Sequence, residues 1–352
     1  MKPDYESLRN EGTHHEIVGN HVWHIQLELD SILEGTSRSF YLSLKELPRA
    51  IRPQVSLLYM LARTSDTIAD SEGGEPKELL EALESYDDFT QGRSSDAPEL
   101  SSFSQFQSNK SEGLLLKNVE TVVSRIEGFS DSDQEAIRSC LGIIISGQIL
   151  DLNRFSLAEE DIASIEKDDE LDDYAYRVAG SVGEFWTQMS LTHLFKLESG
   201  KENELFEKGV RFGKSLQMIN ILRDIPSDLA LGRCYIPRKS LEEHKLSPQD
   251  LLDNSKMESF RPLYDEYLDL TSKYLESAIQ YIEMIPHSQF RLRGSCMLPV
   301  IIGKRTVSLL RGRNVLDRKE RIKIGRSEIK DLVKQVVMAV PFKGSSKRLL
   351  RV

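Results

Sequence analysis

The sequence predicts an all-α protein built as a single domain, and three observations carry that prediction. Apolar residues return every three to four positions, so HVWHIQLELDSIL (21–33) and LLLKNVETVVSRI (114–126) each gather them on one helical face. Runs of strict alternation bounded by turn signals are nearly absent. Glycine and proline fall between the periodic segments, at Pro48, Pro53, Gly73, Gly74, Pro76, Gly200, Gly232, Pro237 and Pro341, with Pro226 beside them. A length of 352 residues would allow two domains at roughly 150 each, but the chemistry-bearing segments below lie on both sides of every candidate linker and must meet. With 39% hydrophobic and 29% charged residues, the composition excludes a disordered chain, a collagen-like repeat and a membrane bundle.

In chain order, the polar start MKPDYESLRNEGTHH carries no apolar stretch of the kind a secretory leader needs, so a cytoplasmic protein is expected. His14, His15, His21 and His24 cluster there, yet a di-iron bundle needs paired E-x-x-H motifs and only Glu11 with His14 supplies one. The segment LLYMLARTSDTIAD (57–70) places Tyr59, Arg63, Asp66 and Asp70 on one helical stripe, flanked by Leu57, Leu58, Leu61, Ala62 and Ile68. A polar stripe in apolar surroundings faces an enclosed wet cavity. From Gln91 to Ser111 seven serines and no helical period predict a flexible surface insertion. Leu141 to Leu150 reads as a buried helix, too short and polar for a bilayer span, which takes about 20 apolar residues. Cys140, Cys234 and Cys296 form no C-x-x-C pair, so three reduced thiols are expected.

KSLQMINILRDIPSD (214–228) repeats the earlier arrangement: Gln217, Asn220, Asp224 and Asp228 share a stripe, with Leu216, Ile219, Ile221 and Leu222 to bury the rest. Two helices thus each present a pair of carboxylates from an apolar setting. Buried carboxylates without partners cost several kcal/mol each, so protons, basic groups or metal ions must neutralise them. Mg2+ suits best, because it prefers oxygen ligands and bridges carboxylates to phosphates. Arg63 and Arg223 stand beside the acids and suit bidentate clamping of the same phosphates.

The net charge is −10, which disfavours a nucleic-acid binder, and no aromatics interleave with the basic residues. Charge is unevenly spread: residues 304–352 hold 15 Lys or Arg against 4 Asp or Glu, ending in the basic tail PFKGSSKRLLRV (341–352). Such an end attracts phosphate, of a ligand or of an anionic membrane.

Four segments, SRSFYLSLKELP, LYMLARTSDTIAD, DYAYRVAGSVGEFW and LQMINILRDIPSDLALGRCYIP, occur in an order that resembles the squalene and phytoene synthase family, the head-to-head prenyl synthases. The resemblance covers roughly residues 36–330 and implies a single isoprenoid-synthase-type helical bundle around a central cavity. It implies that Asp66, Asp70, Asp224 and Asp228 hold Mg2+ against allylic diphosphates. By the same resemblance Ser37, Arg38, Phe40, Tyr59 and Arg63 lie near the diphosphate and reacting carbons, with Gln217, Asn220 and Arg223 beside the second acid pair. Tyr174, followed by Ala175 where the family has cysteine, or the departed diphosphate, serves as base.

The implied reaction joins two farnesyl diphosphates through presqualene diphosphate to squalene, with NADPH as reductant. DTIAD, RGSCMLP and RIKIGRSE are similar to squalene synthase segments, and Arg233 and Lys323 are the implied cofactor-side cations. The alternatives are a dehydrosqualene or phytoene-type synthase, a presqualene diphosphate synthase without reduction, and a noncatalytic homologue. Ala69 and Ser295 depart from the squalene synthase pattern, and no G-x-G-x-x-G fingerprint is present. Gly147 and Asp151 are expected toward the far end of the cavity, and peripheral contact with an anionic membrane is expected of an enzyme releasing a hydrocarbon.

Overall fold

The computed structural model describes residues 32–36, 44–71, 74–156, 161–319 and 321–351, and these are almost wholly helical. Pro53 starts the first long helix, α1 (Arg52–Ala69), which buries Val55, Leu57, Leu58, Leu61 and Ile68 and leaves its polar stripe at the edge of the core. It ends where the Asp70 N–H bonds the Asp66 carbonyl at 2.9 Å. Pro76 opens α2 (Pro76–Thr90), where Glu78 accepts the Glu75 N–H at 3.1 Å.

The 91–111 stretch is mostly irregular, as expected, but it is anchored and not merely superficial. Leu100 and Phe103 are buried in the core, and the Gln107 amide donates to Ser71 Oγ at 3.3 Å. These few apolar residues carry the segment past the first acid pair. The apolar period of 114–126 predicts one helix, and the structure gives two, α3 (Lys110–Lys117) and α4 (Val119–Ser124). They part at Asn118, whose amide donates to the Leu114 carbonyl at 2.8 Å and so competes with the backbone ladder.

Ser130 caps α5 (Asp131–Asp151), the helix of the Leu141–Leu150 run, which lies inside the bundle with Ile137, Leu141, Ile144 and Ile145 buried. It continues into a π-turn at Leu152–Ser156. The chain then forms a two-residue strand β1 (Ala163–Ser164), followed by α6 (Asp168–Ala175), a second π-turn at Tyr176–Gly180 and α7 (Ser181–His193). Next comes α8 (Glu202–Ala230), the central helix, which packs on α7 and on α10 (Met257–Met284).

Glycines set the α7–α8 spacing. A Cβ on Gly183 would overlap the Gly209 carbonyl, and one on Gly213 would overlap that of Ala179, so the two backbones approach where no side chain intervenes. After α8, the strand β2 (Arg233–Cys234) pairs in parallel with β1, Ala163 opposite Arg233, before the short helix α9 (Arg238–Glu243). The long α11 (Phe290–Gly312) completes the bundle wall. The buried Arg293 closes the end of α10 by donating to the Ile282 and Ile285 carbonyls. α12 (Arg326–Ala339) and α13 (Lys343–Arg351) cover α11 from outside. The segment expected as a basic tail is therefore a docked helix: Ser346 and Leu350 are buried, and Lys304 donates to the Leu350 carbonyl at 2.9 Å. Among the described residues no helix is long and apolar enough to cross a membrane.

Candidate active site

The acid stripes of α1 and α8 come near enough for Asp70 and Asp228 to repel each other. On α1, Asp66 accepts a hydrogen bond from Gln148 Nε2 of α5 at 2.5 Å and lies 3.8 Å from Arg63. Arg63 also reaches Glu112 of α3 at 2.5 Å. On α8, Asp224 takes Arg223 at 2.5 Å and Arg321 at 2.9 Å. The β1–β2 pairing brings in the next two residues. Arg233 lies 3.7 Å from Asp70, linking the ends of the two acid stripes, and Tyr235 donates to Asp151 at the end of α5. Tyr174 of α6 stacks on Tyr235 with centroids 5.0 Å apart and donates to its hydroxyl at 3.4 Å. Asp151 and Tyr174 each stand next to a π-turn, a backbone irregularity that re-aims side chains at such sites.

This crowding unbalances the charges. Burial first, then repulsion from Asp224, push Asp228 up to about 7 against the pull of Arg233, with Asp151 and Asp70 adding to the rise. Burial likewise lifts Asp66 to about 6, against Arg63, and Asp151 to about 6, against the hydrogen bond from Tyr235. Asp224 differs. Burial would raise it too, but Arg223 and Arg321 outweigh that and hold it below the ordinary carboxylate value. Burial and the neighbours Tyr235 and Asp151 push Tyr174 well above the usual phenol range.

Asp66 is 45% exposed at its side chain, yet the space it faces is a cavity within the protein. That cavity, of about 390 Å³, runs from Tyr59, Arg63 and Asp66 inward past Trp186, Phe212 and Tyr281 to Ser295 and Cys296 of α11. A smaller, more polar hollow of about 200 Å³ shares Arg63 and Asp66 and adds Asp70, Gln107 and Glu112. The mouth is thus anionic and the interior apolar.

The donors fit a hard divalent cation. All are oxygens, Asp66, Asp151 and Asp228 are carboxyls whose burial penalises an uncompensated negative charge, and Asp151 Oδ1 and Gln148 Oε1 are buried without a hydrogen-bond partner in the protein. Among the described residues no three His, Cys, Asp or Glu side chains form a ready cage, so such a cation would need further oxygens from a ligand or water.

The model of the squalene/phytoene synthase family matches residues 33–328. The chain belongs to the squalene/phytoene synthase family. Among curated relatives of this family member, the bifunctional lycopene cyclase/phytoene synthase of Phaeosphaeria nodorum is 30% identical over 241 residues, 65% of this chain and 37% of that protein. The presqualene diphosphate synthase of Zymomonas mobilis is 28% identical over 213 residues, 60% of each chain. The match spans less than two thirds of the length of either relative. A solved complex of TcSQS with the ligand BPH1237 superposes with a TM-score of 0.73 at 18% identity, covering 92% of this chain and 88% of that one. The fold is the family's all-α isoprenoid-synthase-type bundle around a central cavity.

Of the residues the sequence singles out in this synthase-family chain, the structure brings together Tyr59, Arg63, Asp66, Asp70, Asn220, Arg223, Asp224, Asp228 and Arg233 around the mouth and upper cavity. Tyr59 lines the cavity with its hydroxyl on the Thr36 carbonyl at 3.2 Å. Gln217 is half-buried on α8, and its side chain makes no hydrogen bond among the described residues. Ser37, Arg38, Phe40 and the histidine cluster lie outside the described residues.

Two assignments change. Asp151 is not at the far end of the cavity but among the mouth carboxylates, because α5 ends there. Gly147 is a packing contact, since a Cβ on it would meet Val178 at 2.9 Å. Arg233 faces Asp70, Asp151 and Asp228, and Lys323 is exposed two residues from Arg321, which reaches Asp224. Sequence reasoning missed Tyr235, Gln148, Glu112 and Arg321. The YIP flank signalled Tyr235 only as part of a motif.

Proposed function

We propose that this chain is a prenyltransferase that joins two farnesyl diphosphates head to head, with presqualene diphosphate as the first product. The observation that carries this reading is the crowding of Asp66, Asp70, Asp151, Asp224 and Asp228 at the mouth of an apolar cavity, short of positive charge. A diphosphate accompanied by Mg2+ and bearing a hydrocarbon tail matches both halves of that space. Asp66, Asp70, Asp224 and Asp228 are the residues that would hold Mg2+, which when bound stabilises the negative charge of the leaving diphosphate.

Arg63 and Arg223 supply planar donors to phosphate oxygens beside the acid pairs. The C1–O bond of the donor breaks and diphosphate departs with the electron pair. The double bond of the second chain then attacks C1, and loss of a proton closes the cyclopropane. Trp186, Phe212 and Tyr281 keep water from the allylic cation and turn aromatic surface toward it. Tyr174, whose hydroxyl donates to Tyr235 in this structure, or the departing diphosphate accepts the proton.

Conversion onward to squalene requires hydride from NADPH. Ser295 and Cys296 of RGSCMLP line the cavity, and RIKIGRSE places Arg321 on Asp224, which supports that reading. A nonreductive outcome is favoured by the engagement of Arg233 with carboxylates and by the names of the curated relatives. Incubation with farnesyl or geranylgeranyl diphosphate and Mg2+, with and without NADPH, followed by mass analysis, separates them. Presqualene diphosphate is expected from farnesyl diphosphate without reductant, and squalene when NADPH is added. Asp224→Asn is expected to lower turnover by a hundredfold or more, on the order of the loss of a charge-stabilising group. No coupled product from either substrate refutes the reading.

A further inference from the structure

The outer corner formed by α12 and α13 shows large apolar side chains to solvent. Val337, Met338 and Phe342 are 62%, 66% and 65% exposed. Val337 and Met338 sit opposite the face of α12 that buries Leu332, Val336 and Ala339, Phe342 follows in the turn before α13, and Lys330, Lys334 and Val337 form one outward stripe at steps of four and three. The Pro341 carbonyl lies 3.0 Å from His287 Nε2, and Gly294 of α11 faces Val336 and Val340. These contacts set the first turn of α11, with the half-exposed Phe290, at the same corner.

The corner is also basic. Residues 326–352 carry seven Lys or Arg against two acids, within a chain of net charge −10. Lys334 pairs with Asp331 at 3.1 Å and Lys347 with Glu283 at 3.7 Å, while Lys330, Lys343, Arg348 and Arg351 have no ion pair among the described residues. Behind α12, on its buried side, a cleft of about 530 Å³ is lined by Lys304, Arg305, Arg311 and Glu276 together with Leu275, Ile279 and Leu332, with Lys304 held by the Leu350 carbonyl and Arg311 by Asp269.

We infer that this corner docks on an anionic lipid bilayer, with Val337, Met338, Phe342 and Phe290 entering the interface and the exposed Lys330, Lys334 and Lys343 meeting lipid phosphates. Apolar side chains ringed by lysine on an acidic protein suit that partner, because negative lipid attracts this corner and repels the rest. The proposal goes beyond the catalytic reading and explains the placement of α11. That helix begins at the docking corner and, a turn or two further, lines the cavity with Ser295, Cys296 and Pro299. A hydrocarbon formed in the cavity is thereby held close to the lipid that dissolves it.

The test floats the full chain with phosphatidylcholine vesicles, with or without phosphatidylglycerol, at low and high salt. Flotation is expected only with the anionic vesicles and is expected to be reversed by salt. The triple variant Val337→Ser, Met338→Ser, Phe342→Ser is expected to partition roughly tenfold less while keeping its circular dichroism and turnover. Lys330→Glu with Lys334→Glu is expected to lose roughly fivefold or more for each lysine. A wild-type chain that stays soluble with anionic vesicles at low salt, or variants that float as well as wild type, overturns the proposal. Flotation is read without turnover, so failure of the catalytic reading is a separate result.

Discussion

Pro226 lies inside α8 between Asp224 and Asp228, where it withholds the N–H that would bond the Leu222 carbonyl. The freed carbonyl finds another donor in the fully buried Tyr264 of α10, whose hydroxyl reaches it at 3.0 Å. The helix therefore continues to Ala230 and keeps both aspartates on it. Tyr264→Phe should cost about 1–3 kcal/mol by leaving that carbonyl unpaired. Pro226→Ala added to that variant restores an N–H at the right place and should recover part of the loss in urea denaturation. A double variant no more stable than Tyr264→Phe would show that this carbonyl is not what Tyr264 serves. The aspartate pairs themselves were legible because each sits within one helix, where spacing fixes the face. The positions of Tyr235 and Arg233 were not, since they depend on the pairing of β1 with β2, two strands distant in sequence that no local period encodes, and the place of Asp151 depends on where the end of α5 meets them.

The α7–α8 crossing shows the same limit at the scale of elements. Periodicity located the main helices, but neither the π-turn at Tyr176–Gly180 nor the close approach of Gly183 to Gly209 follows from it. The burial of Leu100 and Phe103 was likewise hidden by the serines around them. Gly213 carries a testable consequence. A methyl there would lie 2.6 Å from the Ala179 carbonyl carbon, and backbone on both sides leaves no flexible tip to move. Gly213→Ala should therefore destabilise by about 1–3 kcal/mol or more, as overpacking does. Because Gly213 and Val178 also line the cavity, the forced separation should alter the product profile as well as the melting temperature. Gly128→Ala is the control, since a Cβ there meets nothing within 4 Å. Equal melting temperatures for the two variants would mean that the helices can spread freely.

At the scale of the whole molecule, the fold concentrates negative charge at one mouth and positive charge at the α12–α13 corner, and the first has a pH signature. Asp228 holds its proton up to about 7, above its ordinary 3.8, so the folded state binds that proton more tightly than the unfolded chain does. Its contribution to stability is present below the ordinary carboxylate value and is lost as pH rises through about 7. Asp66 and Asp151 act in the same direction through about 6, with the share of Asp66 reduced because its side chain is partly accessible. Asp224, held low, contributes the opposite way and only in stronger acid.

The metal-free chain should thus lose melting temperature between about pH 5 and about pH 8. Mg2+ held by these carboxylates would replace the departed protons, so its stabilising shift should be larger at about pH 8 than at about pH 5. Asp228→Asn carries no charge to neutralise at either pH. It should raise the melting temperature of the metal-free chain at the higher pH and shrink the Mg2+ shift there. Thermal melts in chelator and in Mg2+ at the two pH values measure both effects. A Mg2+ shift independent of pH, and unchanged in Asp228→Asn, would mean that the crowded carboxylates are not where the cation binds.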